Sequence, residues 1–275
     1  MIYIITALHC EAKPLIGKFV LKKAVVPSRL DVFRNERIVL VVSGIGKVRS
    51  AIATTFLLSQ NSPPPGSIVA NIGCCGSVGI HNEIGSLLFI NKITDHGSGR
   101  DMYPDSIVKH GLNEAPIETY DIPVKRDLIT APGAQLVDME SSGFFQAASR
   151  FVDTHQIYCL KVVSDFLELS HLSKEFISGL IEKKLSDIER VLELFSKFNE
   201  PDKELFHVEE TELLERISDH LKLTETQYHQ FITLAKSAKI RDRNLLESLA
   251  PFAGSEIKTK NESKNTFERI RKALG

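Results

Sequence analysis

The stretch "LVDMESSGFF" (residues 136–145) predicts a buried strand that runs directly into a helix. Asp138 and Glu140 stand on either side of Met139 at the junction. A strand that enters a hydrophobic core is an unfavourable place for two carboxylates, because burying an unpaired charge is costly. The stretch therefore indicates an α/β fold and, at the same point, a function for its acidic residues.

The rest of residues 1–200 repeats this alternation of short apolar runs with helical patterns, which predicts a layered α/β domain. "IYIITAL" (2–8) is continuously apolar, as is typical of a central strand covered on both faces. Apolar spacing predicts one long amphipathic helix from Ser173 to Phe198. Other strands are predicted within 31–44 (two, joined at Asn35 and Glu36), 67–73, 85–94, 134–139 and 157–165, and further helices at 46–60 and 141–151.

The composition is that of an ordinary globular protein, with 43% hydrophobic and 25% charged residues. The 34 basic and 35 acidic side chains nearly cancel, which argues against a broad affinity for nucleic acid or for a membrane surface. The four cysteines lack metal-site or C-x-x-C spacing, so they are interpreted as reduced, packed thiols. The opening run "MIYIITAL" has no cationic flank and is too short for a membrane span, so a cytoplasmic protein without a signal peptide is expected.

The pattern changes at "NEPDKE" (199–204), and beyond it only helices are predicted. The expected domains are therefore an α/β domain at 1–200 and a helical C-terminal appendage at 201–275. Thr224 and Gln227 have the spacing of a helix capping box. The last stretch, 258–275, is predicted to be a polar, fraying helix, and its basic character favours a solvated helix face over a nucleic-acid contact.

Acidic or glycine-rich segments follow the predicted strands, and in an open α/β sheet ligands bind beyond the carboxyl ends of the strands. "GIGKVR" is not a dinucleotide fingerprint, because Arg49 occupies the third glycine position, and it lacks the spacing of a Walker loop. The segments are Glu11, "SGIGK" (43–47), "NIGCCGS" (71–77), "DMES" (138–141) and "SDF" (164–166).

In their order and spacing, "ITALHCEAKPLI", "VSGIGKVRSAIATTFLL", "NIGCCGS", "LVDMES" and "LKVVSD" resemble the nucleoside phosphorylase and nucleosidase superfamily. The sequence is most similar to bacterial methylthioadenosine/S-adenosylhomocysteine nucleosidases, over residues 1 to about 198. The resemblance implies a three-layer α/β/α phosphorylase-like domain with a mixed central sheet, no metal or organic cofactor, and assembly into homo-oligomers, with a dimer expected.

The resemblance also implies roles for particular residues. Glu140 holds the ribose hydroxyls, Met139 packs under the sugar, Asp165 protonates purine N7, and Glu11 orients and deprotonates the attacking water. Each carboxylate has a simpler alternative. Asp165 and Ser164 are also good capping residues, Glu140 suits the first turn of a helix, and Glu11 is interpretable as a solvated loop carboxylate.

Five further residues complete the expected site. Asp138 is interpreted as a supporting hydrogen-bond acceptor, and Ser164 as a neighbour of Asp165 in substrate binding. Ile45 and the backbone from Cys74 to Gly76 are expected to line the sugar pocket, or alternatively to serve as scaffold. His9, beside Glu11, is interpreted as incidental.

Breaking an N-glycosidic bond produces an oxocarbenium-like sugar and an electron-rich base, so an enzyme needs negative charge near the sugar and a proton near the base. Superfamily phosphorylases carry an arginine three residues before the position of Cys74, where this sequence has Asn71. Glu11 would repel phosphate but suits water. The expected function is hydrolysis of a purine ribonucleoside, with or without a 5′ modification. The alternatives are phosphorolysis, or a non-catalytic nucleoside-binding relative whose helical tail docks a partner.

Three features depart from the nucleosidase pattern: Cys74, the segment 95–137 and the helical tail. Cys74 replaces a serine, and the segment 95–137 is shorter than in the nucleosidases, with "DLITAPGA" (127–134) in the region of a base-stacking aromatic residue. Arg100, Tyr103 and Asp105 are candidates for building the base and 5′ pockets, although a turn held by Pro104 explains them equally well. The helical tail is expected to cover the cleft, mediate assembly or dock another protein.

Overall fold

A computed structural model describes residues 1–60, 63–79, 82–105, 108–124, 135–168, 172–199, 206–240, 244–253 and 260–274. The chain divides into two compact units, Met1–Pro201 and Asp202–Gly275. Hydrophobic clusters on both faces of a sheet form the interior of the first unit, and a separate cluster forms that of the second.

Among the described residues, a sheet of ten strands forms the centre of the first unit. Strand β1 lies between β4 and β5 and runs parallel to both. Strand β5 also pairs in parallel with β10 and antiparallel with β9, so the sheet is mixed. The strands are β1 (Ile2–Thr6), β2 (Lys22–Ala24), β3 (Asp31–Arg34), β4 (Ile38–Val42), β5 (Ile68–Ser77), β6 (Leu87–Asp95), β7 (Arg100–Met102), β8 (Asn113–Thr119), β9 (Leu136–Asp138) and β10 (Ile157–Asp165).

Helices cover both faces of this sheet. On one face lie α1 (His9–Lys18), α4 (Lys174–Glu182) and α5 (Leu185–Phe198), and on the other lie α2 (Lys47–Ser59) and α3 (Ser141–Ala148). Alternate residues of β1 belong to opposite clusters, as strand geometry requires: Ile4 packs on the first face and Ile5 on the second. The predicted three-layer α/β/α domain with a mixed sheet is confirmed.

Part of the sheet closes on itself. Strands β5, β10, β6, β8 and β9 pair in that order, and β9 pairs back with β5. Because β1, β4, β5 and β10 are mutually parallel, the segments that follow them emerge at one edge of the sheet. This arrangement brings the polar segments of the sequence to the same edge.

The prediction of one long helix from Ser173 to Phe198 is wrong, because helix α4 ends at Glu182 and helix α5 begins at Leu185. At the break, the Lys184 N–H donates to the carbonyl of Ile181, three residues back, which tightens the last turn. Ile181 and Ile188 nevertheless contact the same core cluster. The apolar spacing therefore continues across the break and conceals it.

The second unit is helical within its described residues. Its helices are α6 (Val208–Leu221), α7 (Glu225–Ile240), α8 (Leu245–Leu249), which a single 3₁₀ turn follows, and α9 (Lys260–Leu274). The predicted capping box is confirmed, because the Gln227 N–H donates to Thr224 Oγ1 at 3.4 Å and the Thr224 N–H donates to Gln227 Oε1 at 3.0 Å.

The expectation of a fraying C-terminal helix is wrong. Helix α9 contributes Phe267, Ile270 and Leu274 to the core of the second unit. These apolar residues recur every three or four positions among charged ones, so they form a narrow stripe that the polar average composition hides. In the parts of the chain that the structure describes, every helix is too short or too polar to cross a lipid bilayer.

The starts of α2 and α3 touch at Gly143, where an added Cβ would overlap the Lys47 carbonyl. We expect Gly143→Ala to lower the free energy of unfolding by about 1–3 kcal/mol, as overpacking does, measured by urea denaturation. Gly179→Ala is the matched control, because a Cβ there meets open space within α4. It should raise stability by about 0.4–1 kcal/mol. Equal midpoints for the two variants would contradict the close approach.

Candidate active site

One cavity of about 230 Å³ lies where β5, β9 and β10 end and α1 begins. The nine residues to which the sequence analysis assigned a catalytic or sugar-binding role all line it. Glu11, Glu140 and Asp165, which are far apart along the chain, converge there. Glu11 and Asp165 lie at the ends of the parallel strands β1 and β10, whereas Glu140 follows β9, a short strand that runs antiparallel to β5 beside its last residues. The other six are Ile45, Cys74, Gly76, Asp138, Met139 and Ser164.

Backbone amides hold the Glu11 carboxylate in place. Its Oε2 accepts hydrogen bonds from the N–H groups of Ala7 (3.0 Å) and Leu8 (2.9 Å), and its Oε1 accepts one from Cys74 N–H (2.8 Å). Gly73 permits this approach, because a Cβ there would lie 2.8 Å from Oε1. Burial raises the pKa of Glu11, and the Cys74 amide opposes that rise. The solvated-loop interpretation of Glu11 is therefore wrong.

The Glu140 carboxylate lies at the N-terminus of α3 and joins that helix to the turn before α2. Its Oε1 accepts a hydrogen bond from the Gly46 N–H at 2.8 Å. Gly46 has a φ of 109°, a backbone conformation that favours glycine. Burial raises the pKa of Glu140 to about 7, and the charges of Asp138 and Glu11 add to the rise, whereas Lys161 and the Gly46 amide oppose it.

Asp138 pairs with Lys161, a residue that the sequence analysis missed. Lys161 Nζ lies 2.9 Å from Asp138 Oδ2, and both side chains are 1% exposed. The carboxylate also accepts hydrogen bonds from Thr119 Oγ1 (2.8 Å) and from the amide and hydroxyl of Ser141 (2.9 and 2.6 Å). Asp138 is thus the hydrogen-bond acceptor that the sequence predicted.

The buried pair carries two opposed pKa effects. Burial by itself raises the pKa of Asp138, but the Lys161 ammonium and the hydroxyl donors lower it below its ordinary value. Burial by itself lowers the pKa of Lys161, but Asp138 and the neighbouring acidic groups raise it above its ordinary value. Both groups are therefore held in their charged forms. The signal in the sequence is a lysine within "IYCLKVV", a run expected to be buried on both faces.

Asp165 ends β10 at an irregularity in its pairing with β5, which lies between Val163 and Asp165. Such bulges redirect a side chain, here into the cavity. The carboxylate accepts hydrogen bonds from the Ser164 hydroxyl (2.6 Å) and from the Leu167 N–H (2.8 Å). Asp165 thus makes a local capping contact and also lies in the cavity. The capping interpretation and the catalytic interpretation of this residue are therefore compatible.

Apolar side chains form the rest of the cavity wall. Arg100, Tyr103 and Asp105 do not line the cavity, so their expected place in it is wrong. Tyr103 is exposed, and Asp105 accepts a hydrogen bond from Thr154. The segment "DLITAPGA" lies outside the described residues, and His9 contacts Asp31 at the surface. Besides Ile45, the apolar wall includes Ile122, Pro123, Val124, Val137, Leu167, Leu172 and Ile177.

The cysteines are all free thiols. Burial raises the pKa of Cys74, which lines the cavity, and of its neighbour Cys75, so both are neutral thiols near pH 7. Within the described ranges, no three His, Cys, Asp or Glu side chains are grouped as metal ligands would be.

Two curated relatives share part of this sequence, whereas no protein-family model matches it. The chain is 28% identical over 109 residues to the 5′-methylthioadenosine/S-adenosylhomocysteine nucleosidase of Staphylococcus carnosus, which covers 40% of the chain and 44% of the relative. It is 38% identical over 64 residues to the nucleosidase of the same name from a Marinomonas species, with coverages of 23% and 26%. The chain spans less than half the length of the curated relatives that it matches.

Solved structures match over a longer span. A Helicobacter pylori nucleosidase mutant with 5′-methylthioadenosine in the active site matches with a TM-score of 0.60 and 17% identity, over 70% of this chain and 98% of that one. Futalosine hydrolase of H. pylori matches with a TM-score of 0.58, 18% identity and coverages of 70% and 97%. The 5′-methylthioadenosine/S-adenosylhomocysteine nucleosidase of S. pneumoniae matches with a TM-score of 0.57 and 22% identity, over 70% of this chain and 97% of that one.

The chain therefore has the fold of the nucleoside phosphorylases and nucleosidases. The resemblance found in the sequence is confirmed, with a helical region that follows the shared fold.

Removal of the Lys161 ammonium tests the buried pair. We expect Lys161→Met to lower the free energy of unfolding by about 3–5 kcal/mol near neutral pH, because it leaves the charge of Asp138 buried and unpaired. In the variant, burial raises the Asp138 pKa, so the folded protein takes up a proton at a higher pH than the unfolded chain does. The loss in free energy of unfolding relative to the wild type should therefore shrink as the pH falls toward about 4, where an unfolded aspartate is protonated. Urea denaturation across this pH range measures both effects.

Lys92→Met is the control for that experiment, because Lys92 pairs with Asp101 at 2.8 Å on a half-exposed surface. Its effect should be small at every pH, because a surface ion pair contributes little to stability. A similar small effect for Lys161→Met would show that the buried pair does not constrain the fold.

Proposed function

We propose that the protein is a hydrolase that cleaves the N-glycosidic bond of a purine ribonucleoside, with or without a 5′ modification. The observation that carries this proposal is the convergence of Glu11, Glu140 and Asp165 in one cavity with an apolar wall. The names of the matched relatives and of the structures with this fold support nucleosidase chemistry.

In this proposal, Glu140 binds the ribose hydroxyls and Met139 packs beneath the sugar. The Gly46 amide fixes one Glu140 oxygen, which leaves the carboxylate oriented for a ligand. Asp138 acts through its neighbours, because its oxygens are occupied by Lys161, Thr119 and Ser141 donors. Negative charge beside the sugar stabilises the oxocarbenium-like transition state more than the neutral ground state.

Glu11 and Asp165 carry the proton transfers. Glu11 orients the attacking water and accepts its proton, a role that its raised pKa favours near neutral pH. Asp165, at the end of β10, donates a proton to N7 of the leaving purine, so that the base departs neutral. The Ser164 hydroxyl and the Leu167 amide hold the Asp165 side chain in the cavity. The wall formed by 122–124 and Leu167 keeps water away from the base.

Water suits this cavity as the nucleophile better than phosphate does. No Arg or Lys occurs among the described residues that line the cavity, and phosphate binding requires cationic or multiple amide donors. Asn71, at the position of the phosphorylase arginine, donates to the carbonyl of Ile5 and is buried. The amides nearest the expected nucleophile are occupied by the Glu11 carboxylate. Cytoplasmic location and assembly into a homodimer stay predictions.

Replacing the proton donor tests the reaction. Incubation with methylthioadenosine, adenosylhomocysteine, inosine and 5′-deoxyadenosine should release free base from at least one, in phosphate-free buffer, as measured by chromatography. Asp165→Asn should lower that rate about 10²–10⁴-fold, the usual contribution of general acid catalysis, and keep the fold, because an amide oxygen still accepts from Leu167. Asp105→Asn, outside the cavity, is the control and should keep full activity.

Two outcomes would overturn the proposal. Strict dependence on phosphate would establish phosphorolysis. Tight binding of every nucleoside without release of base would indicate the non-catalytic relative.

Glu140 should make nucleoside binding depend on pH near neutrality. Its pKa of about 7 means that the carboxylate gains a proton as the pH falls through 7. The charge-assisted hydrogen bonds to the ribose hydroxyls then weaken, so KM should rise as the pH falls. Steady-state kinetics across neutrality measures this, and Glu140→Gln should bind weakly at every pH and lose the inflection. An unchanged inflection in Glu140→Gln would assign it to another group.

A further inference from the structure

Asp95, the last residue of β6, is buried but does not line the cavity. Its carboxylate accepts four hydrogen bonds. Oδ2 accepts from Lys47 Nζ at 3.0 Å and from the Ser142 hydroxyl at 2.8 Å, and Oδ1 accepts from the amide and hydroxyl of Ser98 at 2.9 and 2.8 Å. Burial by itself raises the pKa of Asp95, but these donors hold it well below its usual range. The group is therefore a fixed anion near neutral pH.

Two of these donors adjoin the segments that hold Glu140. Lys47 begins α2 directly after Gly46, whose N–H donates to Glu140 Oε1 at 2.8 Å. Ser142 lies in the first turn of α3, two residues after Glu140 itself. One carboxylate thus ties together the amide donor and the acceptor of the Gly46–Glu140 hydrogen bond.

The same region has little freedom to rearrange. Gly143 of α3 packs directly on the Lys47 carbonyl, with no room for a Cβ. Lys47 Nζ also lies 3.0 Å from Asp121 Oδ1, next to Ile122 of the cavity wall. A shift of Lys47 would therefore move both the Gly46 amide and the adjoining wall.

We propose that Asp95 is a positioning residue, which holds the Gly46 amide on the Glu140 carboxylate and so fixes the group that binds the ribose. The link to ribose rests on the proposed function, whereas the hold on Gly46 does not. Small displacements of a binding group are known to lower rates or affinities strongly. Asp95 acts through Lys47 and Ser142 and does not contact the substrate.

The direction of the change in the Glu140 pKa distinguishes a positioning role of Asp95 from a direct effect of its charge. The largest charge effects on Glu140 come from Asp138 and Glu11, which raise its pKa, and from Lys161, which lowers it. Loss of the negative charge of Asp95 can only lower the Glu140 pKa by Coulomb's law. Loss of the Gly46 amide donor raises it instead.

The first experiment measures KM and kcat across neutral pH for Asp95→Asn, with the nucleoside that the wild type cleaves. We expect kcat/KM to fall about 10-fold, through a higher KM and a lower kcat, because Glu140 binds the ribose in the ground state and stabilises the transition state further. The inflection assigned to Glu140 should move to higher pH by about half a unit or more. An inflection that stays in place or moves to lower pH would overturn the proposal.

Asp101→Asn is the matched control. Asp101 accepts from Lys92 Nζ at 2.8 Å and from Thr94 Oγ1 at 2.7 Å, beside the same strand β6 but on the exposed surface. The change in charge is the same as in Asp95→Asn, but Asp101 pairs with Lys92 and Thr94 on the surface. KM and the pH of the inflection should therefore equal those of the wild type. An upward shift in this control equal to that of Asp95→Asn would show that the shift does not come from the contacts of Asp95 and would overturn the proposal.

Ser142→Ala keeps the test decisive if Asp95→Asn does not fold. It removes one hydroxyl donor from Asp95 and changes no charge, so an upward move of the inflection has no Coulombic source. The move should be smaller than for Asp95→Asn and in the same direction. If the inflection stays at the wild-type pH in a folded Ser142→Ala protein, the proposed role of the contact between Asp95 and α3 is contradicted.

A measurement without substrate distinguishes this proposal from the proposed function. In the wild type, the Gly46 amide proton resonance should shift as Glu140 titrates near pH 7, because the two groups are hydrogen-bonded. In Asp95→Asn that response should largely disappear. If the wild type releases no base, the proposed function fails, but this resonance still tests the hold on Gly46. A response equal to the wild type in Asp95→Asn would overturn the positioning role.

Discussion

The ion pair between Lys161 and Asp138 is the interaction on which the site depends. Burying two charges is expensive, and such a pair adds little to stability compared with apolar residues of similar size. Here it has another consequence, because the Lys161 charge also opposes the rise that burial causes in the pKa values of Glu11 and Glu140. One buried cation thus allows several carboxylates to lie around a single cavity.

Backbone amides also stabilise the buried carboxylates of the site. Glu11 receives three N–H donors from the β1 end and from β5, and Glu140 receives one from the turn before α2. Close approach of the backbone to Glu11 explains Gly73, where a Cβ would meet the carboxylate, whereas the positive φ explains Gly46. In both glycine-rich segments, backbone amides donate to the protein's own acidic side chains.

The layers and the site segments were predictable because both follow from local patterns. Continuous apolar runs marked the central strands, and the polar residues directly after them marked the ligand edge. Lys161 and Asp95 were missed because a partner 23 or 47 residues away decides whether a buried charge is tolerable, as the pairs with Asp138 and Ser142 show. The helix break at 183–184 was missed because both sides pack on one core. The wall at 122–124 depends on how the chain leaves β8, which no periodicity records.

The closed ring of β5, β10, β6, β8 and β9 has a consequence for self-association. A strand inside a ring has both neighbours, so it offers no unpaired backbone to another molecule. On the opposite side the sheet path ends at β2, a strand of three residues that begins with Lys22 and Lys23. A short edge with two exposed ammonium groups resists the addition of a further strand, since a second copy would bring like charges together. The architecture that shapes the cavity thereby also protects the sheet from growing into aggregates.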